Sequence, residues 1–481
     1  MARSGQRAGG RLLQCLSTSV TRPHAPWIIG GGALIGAAIL LAWMSPRFAY
    51  DIDLMNKPVL WFAAGLIAAG LIYAAATPNL IAHALDRRDA STAAVLAIII
   101  GAGLLARLIL FASEPVLEDD FYRYLWDGSV TAIGNNPYAV APADAAASAK
   151  LPPDAAQVLD RVGHADLRTV YPPVAQLAFA AAHQIAPWSL TAWRGIVLAL
   201  DLATLGILLV LLKDAGRSPM WSALYWWNPL VIFALANGAH MDIVVLPPLV
   251  LALLLAARGQ TVLAAAALAV AIGAKIWPVL LLPLVLRPAL KSPARLIAAT
   301  SVLAALLALQ AWPILAAGID QSSGFVAYAQ SWQRNSALFP LIETMASWIV
   351  GSEAAGSVSR AALALLCGAV ALAVAWRPYV TTEQLMTRAA IVVATLLLAA
   401  PAQYPWYLVW LAPFLPFLPL PGLLLFAGTL PLYYTAFHFA PRQQIGIYNG
   451  IVVWIAWLPV WALLVRDVWR RRRAGRRLIS P

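Results

Sequence analysis

The sequence has very little charge. Of its 481 residues, 11% are charged and 62% are hydrophobic, whereas about 25% of the residues in a soluble globular protein are charged. A chain with so little polar surface cannot present a hydrated exterior, so a soluble enzyme or binding domain is excluded. Apolar runs of membrane-spanning length recur along the chain. The predicted fold class is therefore all-α, a polytopic transmembrane helical bundle.

Cysteine is nearly absent. The two cysteines are Cys15, in a basic N-terminal segment, and Cys367, in an apolar run. We expect them on different sides of the membrane, so no disulfide framework is implied. Repeats of fixed period and a soluble domain beyond the loops are also lacking.

Acids are scarce at both ends of the chain. Residues 1–26 contain four arginines and no acid, and residues 466–481 contain seven arginines against Asp467, within a net charge of +12. Basic flanks beside spans stay in the cytoplasm and lie against anionic headgroups. Both termini are therefore expected to be cytoplasmic. The alternative is nucleic-acid binding, but the positive-inside rule already accounts for these charges, so no nucleic-acid partner is expected.

A cleavable signal is also missing. The run Trp27–Met44 is long enough to span and meets Ser45-Pro46-Arg47 without a small-x-small cleavage site, so we expect a retained first helix. The membrane domain is predicted over 27–465, with about 13 or 14 spans by length. The runs Thr261–Ile272 and Ile276–Leu286 are each short, and a broken pair of this kind is tolerated where it lines a cavity.

The most informative stretch follows the third apolar run, Ala93–Ala112. It reads Glu118-Asp119-Asp120-Phe121-Tyr122-Arg123-Tyr124-Leu125-Trp126-Asp127-Gly128 and opens a polar connection over 113–170. The charge bias places this connection, and a second one over 318–336, outside the cytoplasm. Its aromatic residues predict short helices along the membrane face. Carboxylates at the mouth of a span are costly, which makes them candidates for function.

A carboxylate can accept the proton of an attacking hydroxyl group. A second carboxylate nearby raises the pKa of one member of the pair and makes it a better base. Asp119 and Asp120 could divide such work, one facing the reaction and the other orienting loop groups. The structural alternative is a helix start with acids in its first turn, which the helix dipole favours. The residues alone leave both interpretations open.

The acidic stretch, followed by Gly134-Asn135-Asn136-Pro137-Tyr138 and by Tyr171-Pro172-Pro173-Val174-Ala175-Gln176, resembles the GT-C superfamily of membrane glycosyltransferases. The resemblance is to glycosyltransferase family 87-like polyprenyl-phosphate-mannose-dependent mannosyltransferases, and also to the catalytic mannosyltransferase of GPI-anchor synthesis. It covers roughly residues 93–290. The spacing from Asp120 to Gly134 and Pro137-Tyr138 favours Asp120 as the family's essential aspartate. The sequence departs from the simplest family pattern because its acidic loop follows the third apolar run rather than the first.

The resemblance implies an enzyme of the bacterial inner membrane. It would transfer a sugar, with mannose as the first expectation, from a polyprenyl-phosphate donor to a lipid or glycan acceptor at the extracytoplasmic face. The displacement would invert the anomeric centre, with Asp120 as base and Asp119 beside it. Lys275 and Arg334 are the candidates for binding the leaving phosphate. The alternatives are snorkelling for Lys275 and an ordinary loop cation for Arg334.

Further substrate-binding candidates are Glu118, Tyr122, Arg123, Tyr171, Gln176, His240 and Asp242. For Arg123, a local pair with Asp119 or Asp127 is the competing interpretation. His240 and Asp242 could bind sugar or loop groups, and they are a weak metal signal. No metal and no cofactor is therefore expected, although a divalent metal is not excluded.

Other polar and aromatic positions carry two interpretations each. Asp201, at membrane depth, is a functional candidate by default, unless Arg107 or Arg194 neutralises it. Tyr404, Trp406 and Tyr407 could stack on a sugar ring or form part of the interfacial belt.

A multi-pass transporter or flippase is the competing function, because broken helices and a buried lysine suit that class too. Transporters keep such groups near the bilayer midplane, whereas these acids lie at the mouth of a span. The long acidic loop therefore favours the enzyme.

Overall fold

The computed structural model describes residues 24–87, 91–148 and 151–473. Cys15, the N-terminal arginines and the last residues of the basic tail lie outside the described residues. Within them the chain is helical, without strands, and an isolated backbone bridge joins Arg334 to Ala402. The predicted all-α helical bundle is confirmed.

The α-helices are numbered here in chain order. They are α1 (Ala25–Met44), α2 (Val59–Arg87), α3 (Thr92–Phe111), α4 (Asp120–Ala132), α5 (Pro142–Ser148), α6 (Pro153–Asp160), α7 (Pro173–Ile185), α8 (Leu190–Asp214), α9 (Ala223–Trp226), α10 (Pro229–Ile232), α11 (Leu246–Ala257), α12 (Thr261–Ala274), α13 (Leu282–Leu286), α14 (Pro293–Ala317), α15 (Gly324–Ser331), α16 (Leu338–Val350), α17 (Ser352–Ala375), α18 (Thr382–Ala399), α19 (Leu408–Leu411), α20 (Pro421–Thr429), α21 (Ala436–Phe439), α22 (Ile445–Ile447) and α23 (Val453–Arg473).

The segments between these helices include 3₁₀ turns, which are tighter than an α-helix, and π-helical turns, which are wider. The 3₁₀ segments are Ser45–Phe48, Leu54–Asn56, Pro219–Ser222, Met241–Val245, Trp277–Leu281, Arg287–Lys291, Pro405–Tyr407, Ala412–Phe414 and Leu430–Thr435, and the π-helical segments are Phe233–Asn237 and Tyr448–Val452.

Among the described residues, eight helices are long and apolar enough to cross a membrane, or up to nine if one bent pair counts as a span. The expected count of 13 or 14 spans is therefore wrong if each span is taken to be one continuous helix. Several apolar runs are divided where proline removes a backbone donor. The run from Tyr407 to Leu418, for example, forms α19 followed by a 3₁₀ turn that begins at Ala412.

The long polar connection contains the expected short helices as α4, α5 and α6. Their position along the membrane face stays a prediction. Helix α4 packs against α7, and a Cβ at Gly128 would lie 2.5 Å from the carbonyl oxygen of Phe179. Only glycine allows so close an approach. This contact fixes the acidic stretch against the bundle.

The second polar connection, 318–336, contains α15 and pairs with the first by backbone hydrogen bonds. The Arg168 amide donates to Ser322 O over 2.9 Å, and the Gly324 amide donates to Arg168 O over 3.1 Å. At the other end of the chain, α23 continues to Arg473, so the predicted boundary at residue 465 falls inside a helix.

Two chain breaks bring polar groups into the bundle. The first lies between Asn237 and Met241, where the flanking helical segments are bent by 104°. Asn237 holds the acidic loop there, because its Oδ1 accepts from the Val116 amide (3.0 Å) and its Nδ2 donates to Glu114 O (2.7 Å). The second break is at Lys275, which is extended after α12. This division of residues 261–286 matches the expected broken pair.

Asp201 is neutralised inside the bundle. Its carboxylate lies 2.6 Å from Arg107 Nε, and both side chains are 1% exposed. Arg194 instead donates to the carbonyl oxygens of Phe111, Ser113 and Asn237. Of the two candidate partners, Arg107 is therefore the ion-pair partner, and Asp201 has no exposed surface with which to meet a substrate.

Candidate active site

Helix α4 presents three of its first five residues on one face. Asp120, Arg123 and Tyr124 lie three and four residues apart, so they share one face. The Tyr124 hydroxyl donates to Asp120 Oδ2 over 3.4 Å. This face lines a large cavity, whereas the residues between lie elsewhere on the helix.

His240 lies directly behind the acids, delivered by the first chain break. Its Nε2 is 3.0 Å from Glu118 Oε2, and its Nδ1 is 3.8 Å from Asp120 Oδ2. Glu118 also accepts a hydrogen bond from the Tyr434 hydroxyl, at 2.8 Å. The His240 side chain is completely buried, and 3% of Glu118 is exposed against 39% of Asp120. Of these two carboxylates, Asp120 is the one that a substrate in the cavity can reach.

Burial in the cavity wall raises the pKa of Asp120 to about 7, helped by the negative charges of Asp119 and Glu118 and opposed by His240. Burial also raises the pKa of Glu118 and of Asp119. Three neighbouring carboxyl groups with raised pKa values cannot all lose their protons easily. A group that titrates near neutral pH is well suited to proton transfer.

An aromatic stack extends from His240 along the cavity wall. The His240 ring lies on Trp406 at 4.0 Å and 14°, and Trp406 lies on Tyr404 at 4.5 Å and 12°. The strand-like bridge beside them, in which the Gln403 amide donates to Arg334 O (2.8 Å), places Arg334 next to Tyr404. The charges of Asp120 and Arg334 both act on the Tyr404 hydroxyl, so an acidic and a basic side chain border the same aromatic wall.

The second chain break adds an ion pair. Lys275 Nζ lies 2.6 Å from Asp242 Oδ1, which also accepts from Trp410 Nε1 at 2.6 Å. The Lys275 ammonium group lies over the rings of Tyr407 and Trp410, at 4.6 and 4.7 Å. Its charge is therefore already balanced by Asp242, which weakens the expectation that Lys275 binds the phosphate.

Two arginines contribute positive charge to the cavity wall. Arg334 and Arg360 line the cavity, and in the described part of the chain neither lies within 4.0 Å of a carboxylate. Arg360 donates to Trp332 O at 3.1 Å, which holds it beside the Arg334 segment. Glu343 is the acid whose charge acts on Arg360. These guanidinium groups remain available to an anion in the cavity.

The cavity has a volume of about 750 Å³. Part of its wall is apolar, with side chains from the 3₁₀ turn Trp277–Leu281 and from α17 and α18. The apolar lining residues include Leu280, Leu363, Ala364, Cys367, Leu396 and Ala399. One cavity is thus lined by acids, aromatic rings, two arginines without carboxylate partners and apolar side chains.

Eight of the eleven predicted site residues line this cavity: Glu118, Asp119, Asp120, Arg123, Tyr171, Asp242, Lys275 and Arg334. Arg123 also forms the local pair that was the competing interpretation, with Nε 2.9 Å from Asp127 Oδ1. His240 contacts two of the lining carboxylates from behind.

Two predicted substrate-binding residues lie elsewhere. Tyr122 is on another face of α4, where its hydroxyl accepts from Arg161 at 2.8 Å, because two residues of helix rotate it away from Asp120. Gln176 is 2% exposed, and its Nε2 donates to Thr169 Oγ1 (2.9 Å) and Tyr171 O (3.2 Å). Both residues hold the loop together and neither lines the cavity.

Sequence reasoning missed Arg360, Tyr328, Trp410 and Tyr434. They lie outside the motifs, in apolar runs or short helices, and tertiary contacts bring them to the site. Arg360 directly precedes the apolar run 361–376 and lies within the long apolar helix α17. It was the one available signal, because ionisable groups in spans are candidates by default.

Among the described residues, no group of three or more histidine, cysteine, aspartate or glutamate side chains could hold a metal ion. The expected absence of a metal or cofactor stays a prediction.

The fold and the cavity define a class: an integral membrane protein whose polar cavity adjoins a long acidic loop. Residues 108–290 match the family model MptA_B, described as alpha-(1->6)-mannopyranosyltransferase, N-terminal domain. This match confirms the resemblance to GT-C-like mannosyltransferases and supports a membrane mannosyltransferase. No curated protein and no solved structure matched the chain.

The Asp242–Lys275 pair gives a direct test of structural against binding roles. Lys275→Met leaves a buried carboxylate without its counter-ion, which costs about 3 kcal/mol, so the melting temperature in detergent falls. The double variant that carries Asp242→Asn and Lys275→Met should regain most of the lost melting temperature, because it no longer contains the unpaired carboxylate. Lys213→Met, at an exposed helix end, serves as the control. A Lys275→Met protein that melts like the wild type would show that the pair does not stabilise the fold.

Proposed function

We propose that the protein transfers mannose from a polyprenyl-phosphate-mannose donor to a lipid or glycan acceptor at the extracytoplasmic face of a bacterial inner membrane, with both termini in the cytoplasm. The observation that carries the proposal is the set of groups that line one cavity. An accessible carboxylate, aromatic rings, two arginines without carboxylate partners and a group of apolar side chains all face the same space. These groups match an acceptor hydroxyl, a sugar, a phosphate and a lipid.

In the proposed reaction an acceptor hydroxyl oxygen attacks the anomeric carbon of the donor. The bond from that carbon to the lipid phosphate oxygen breaks, and the phosphate leaves with the electron pair. Asp120 takes the hydroxyl proton, and the configuration at carbon is inverted. We propose an α-(1→6) product, the linkage in the family's description.

The negative charges of Asp119 and Glu118 raise the pKa of Asp120, and neither residue takes its place as the base. Glu118 is nearly inaccessible, and its carboxylate faces His240 and Tyr434. His240, when protonated, supplies the nearest positive charge to Asp120. Tyr171 and Tyr404 provide flat surfaces on which a sugar ring can lie, and such surfaces bind sugar faces through apolar contact. Trp406 is covered by His240 and Tyr404 and supports Tyr404 from behind.

Arg334 and Arg360 are the proposed phosphate ligands, and charge-assisted hydrogen bonds to phosphate oxygens are strong. They would stabilise the negative charge that grows on the leaving group. Lys275 lies within the same cavity, but its bond to Asp242 gives it the role of fixing the two chain breaks against each other.

Removing the base tests the assignment. Asp120→Asn should lower turnover of labelled polyprenyl-phosphate-mannose by about 10²–10⁴-fold, the usual contribution of general base catalysis. Asp144→Asn, on the same loop but away from the cavity, is the matched control and should keep its turnover. Undiminished transfer by Asp120→Asn would disprove the base assignment. If the wild type consumes no polyprenyl-phosphate sugar, the transporter or flippase becomes the better hypothesis.

The pH profile should report the raised pKa. A general base works only when it has lost its proton, so kcat/KM should fall about tenfold per pH unit below a midpoint near 7. An ordinary aspartate would place that midpoint near 4. Because Asp119 adds negative charge beside the base, Asp119→Asn should move the midpoint to lower pH. A profile that is flat down to pH 5 would contradict Asp120 as the base.

The phosphate assignment predicts a different kinetic signature. Arg334→Gln and Arg360→Gln should each raise KM for the donor by about tenfold or more, because a hydrogen bond to a charged group contributes about 1.5–3 kcal/mol. KM for the acceptor should change little. Arg161→Gln, which removes a loop arginine that bonds Tyr122, is the control. Equal effects on donor and acceptor would count against phosphate binding.

A further inference from the structure

Three arginines converge at the end of α17 opposite the cavity. Arg388 Nη1 donates to Val374 O at 3.2 Å and also to Arg377 O, while Arg287 Nη2 donates to Trp376 O at 2.9 Å. The charges of Arg287 and Arg377 both act on Arg388. Three positive groups from three elements therefore surround one short turn.

These arginines lack a counter-ion. In residues 24–87, 91–148 and 151–473, none of the three guanidinium groups lies within 4.0 Å of a carboxylate. The nearest acid along the chain, Glu383, is paired with Arg217. Arg388 is 1% exposed, and its Nε and Nη2 have no hydrogen-bond partner, nor does Arg287 Nε.

This arrangement is unfavourable as it stands. A buried charge needs both pairing and hydrogen bonds, and an unpaired one carries a large desolvation penalty. The last carbonyl groups of α17 offset part of it, because cations are favoured at a helix C-terminus. They leave the inward-facing N–H groups unsatisfied and do not remove the repulsion among three like charges. A bound anion would offset this repulsion.

The depth of the cluster identifies the source of the anion. Trp376 is 81% exposed and Val380 is 86% exposed, directly after a membrane-spanning helix. Exposed tryptophan at the end of a span lies at headgroup level. From Cys367, which lines the cavity, to Arg377 is about 15 Å along the helix. The cluster therefore faces lipid headgroups on the other side of the protein from the sugar-transfer cavity.

We propose that Arg287, Arg377 and Arg388 bind the phosphate of an anionic phospholipid headgroup. Guanidinium groups match phosphate oxygens with paired hydrogen bonds. Arg377 is exposed and Arg287 is half-buried, so these two meet the phosphate from the rim. Arg388 is closed off from the surface, and its positive charge attracts the phosphate from below. The site does not depend on the sugar-transfer reaction.

The test uses the full chain, delipidated in detergent and titrated with phosphatidylglycerol or phosphatidylcholine. Native mass spectrometry counts bound lipid, and thermal melting reports stabilisation. The wild type should retain phosphatidylglycerol preferentially and melt at a higher temperature with it. Arg377→Gln and Arg287→Gln should each weaken phosphatidylglycerol binding about tenfold, the effect of losing about 1.4 kcal/mol. Arg377 is exposed, so its variant folds without a buried vacancy.

Arg258→Gln is the matched control. Arg258 lies at the same end of the bundle, since the Tyr379 hydroxyl donates to Ala256 O, but it is already paired with Asp214 at 2.8 Å. The Arg258→Gln variant should bind phosphatidylglycerol like the wild type. Equal binding of both lipids, unchanged binding by Arg377→Gln and Arg287→Gln, or an equal loss in Arg258→Gln would overturn the proposal. Equal stabilisation by inorganic phosphate would overturn the lipid as the source.

Discussion

The site depends on a completely buried histidine between two carboxylates. His240 contacts Glu118 and Asp120 and lies flat on Trp406. It occupies this position because the chain is bent by 104° at the preceding break and because Asn237 holds the acidic loop to that break. A straight helix would carry the histidine past the acids. Burying polar groups is costly unless they are paired, so this contact restrains the acidic loop, the helix break and the aromatic stack together.

The same physical constraint separates the chemistry of neighbouring acids. Glu118 is enclosed by His240 and Tyr434, Asp120 faces the cavity, and Asp119 occupies the N-cap position of α4 without a capping hydrogen bond from its side chain. Three consecutive acids thus have three environments. The pKa of each is raised by burial, yet only Asp120 combines a pKa near neutrality with a position on the face shared by Tyr124. Environment, rather than residue type, distinguishes the proposed base.

The sequence supported the local part of this picture and missed the distant part. Composition was enough for a helical membrane bundle, and the acidic stretch with its downstream spacing pointed to Asp120 and to the family. Helical spacing could have rejected Tyr122 in advance, because it lies two residues from Asp120. The pairing of Lys275 with Asp242 and the place of Arg360 required tertiary contacts between elements far apart in the chain. The span count was too high because proline-rich apolar runs fold as broken segments.

The long-range hydrogen bonds of Glu118 and Asp242 determine when the cavity can form during synthesis of the chain. Glu118 is hydrogen-bonded to Tyr434 across 316 residues, and Asp242 to Trp410 across 168. Both partners come from the C-terminal part of the chain, beyond the region that matches the family model. While the chain is being synthesised, the matched region is complete before either partner has emerged. Its acids must then wait, solvated or protonated, until the last helices insert. The cavity is therefore completed late, when the segments that carry Tyr434 and Trp410 have inserted.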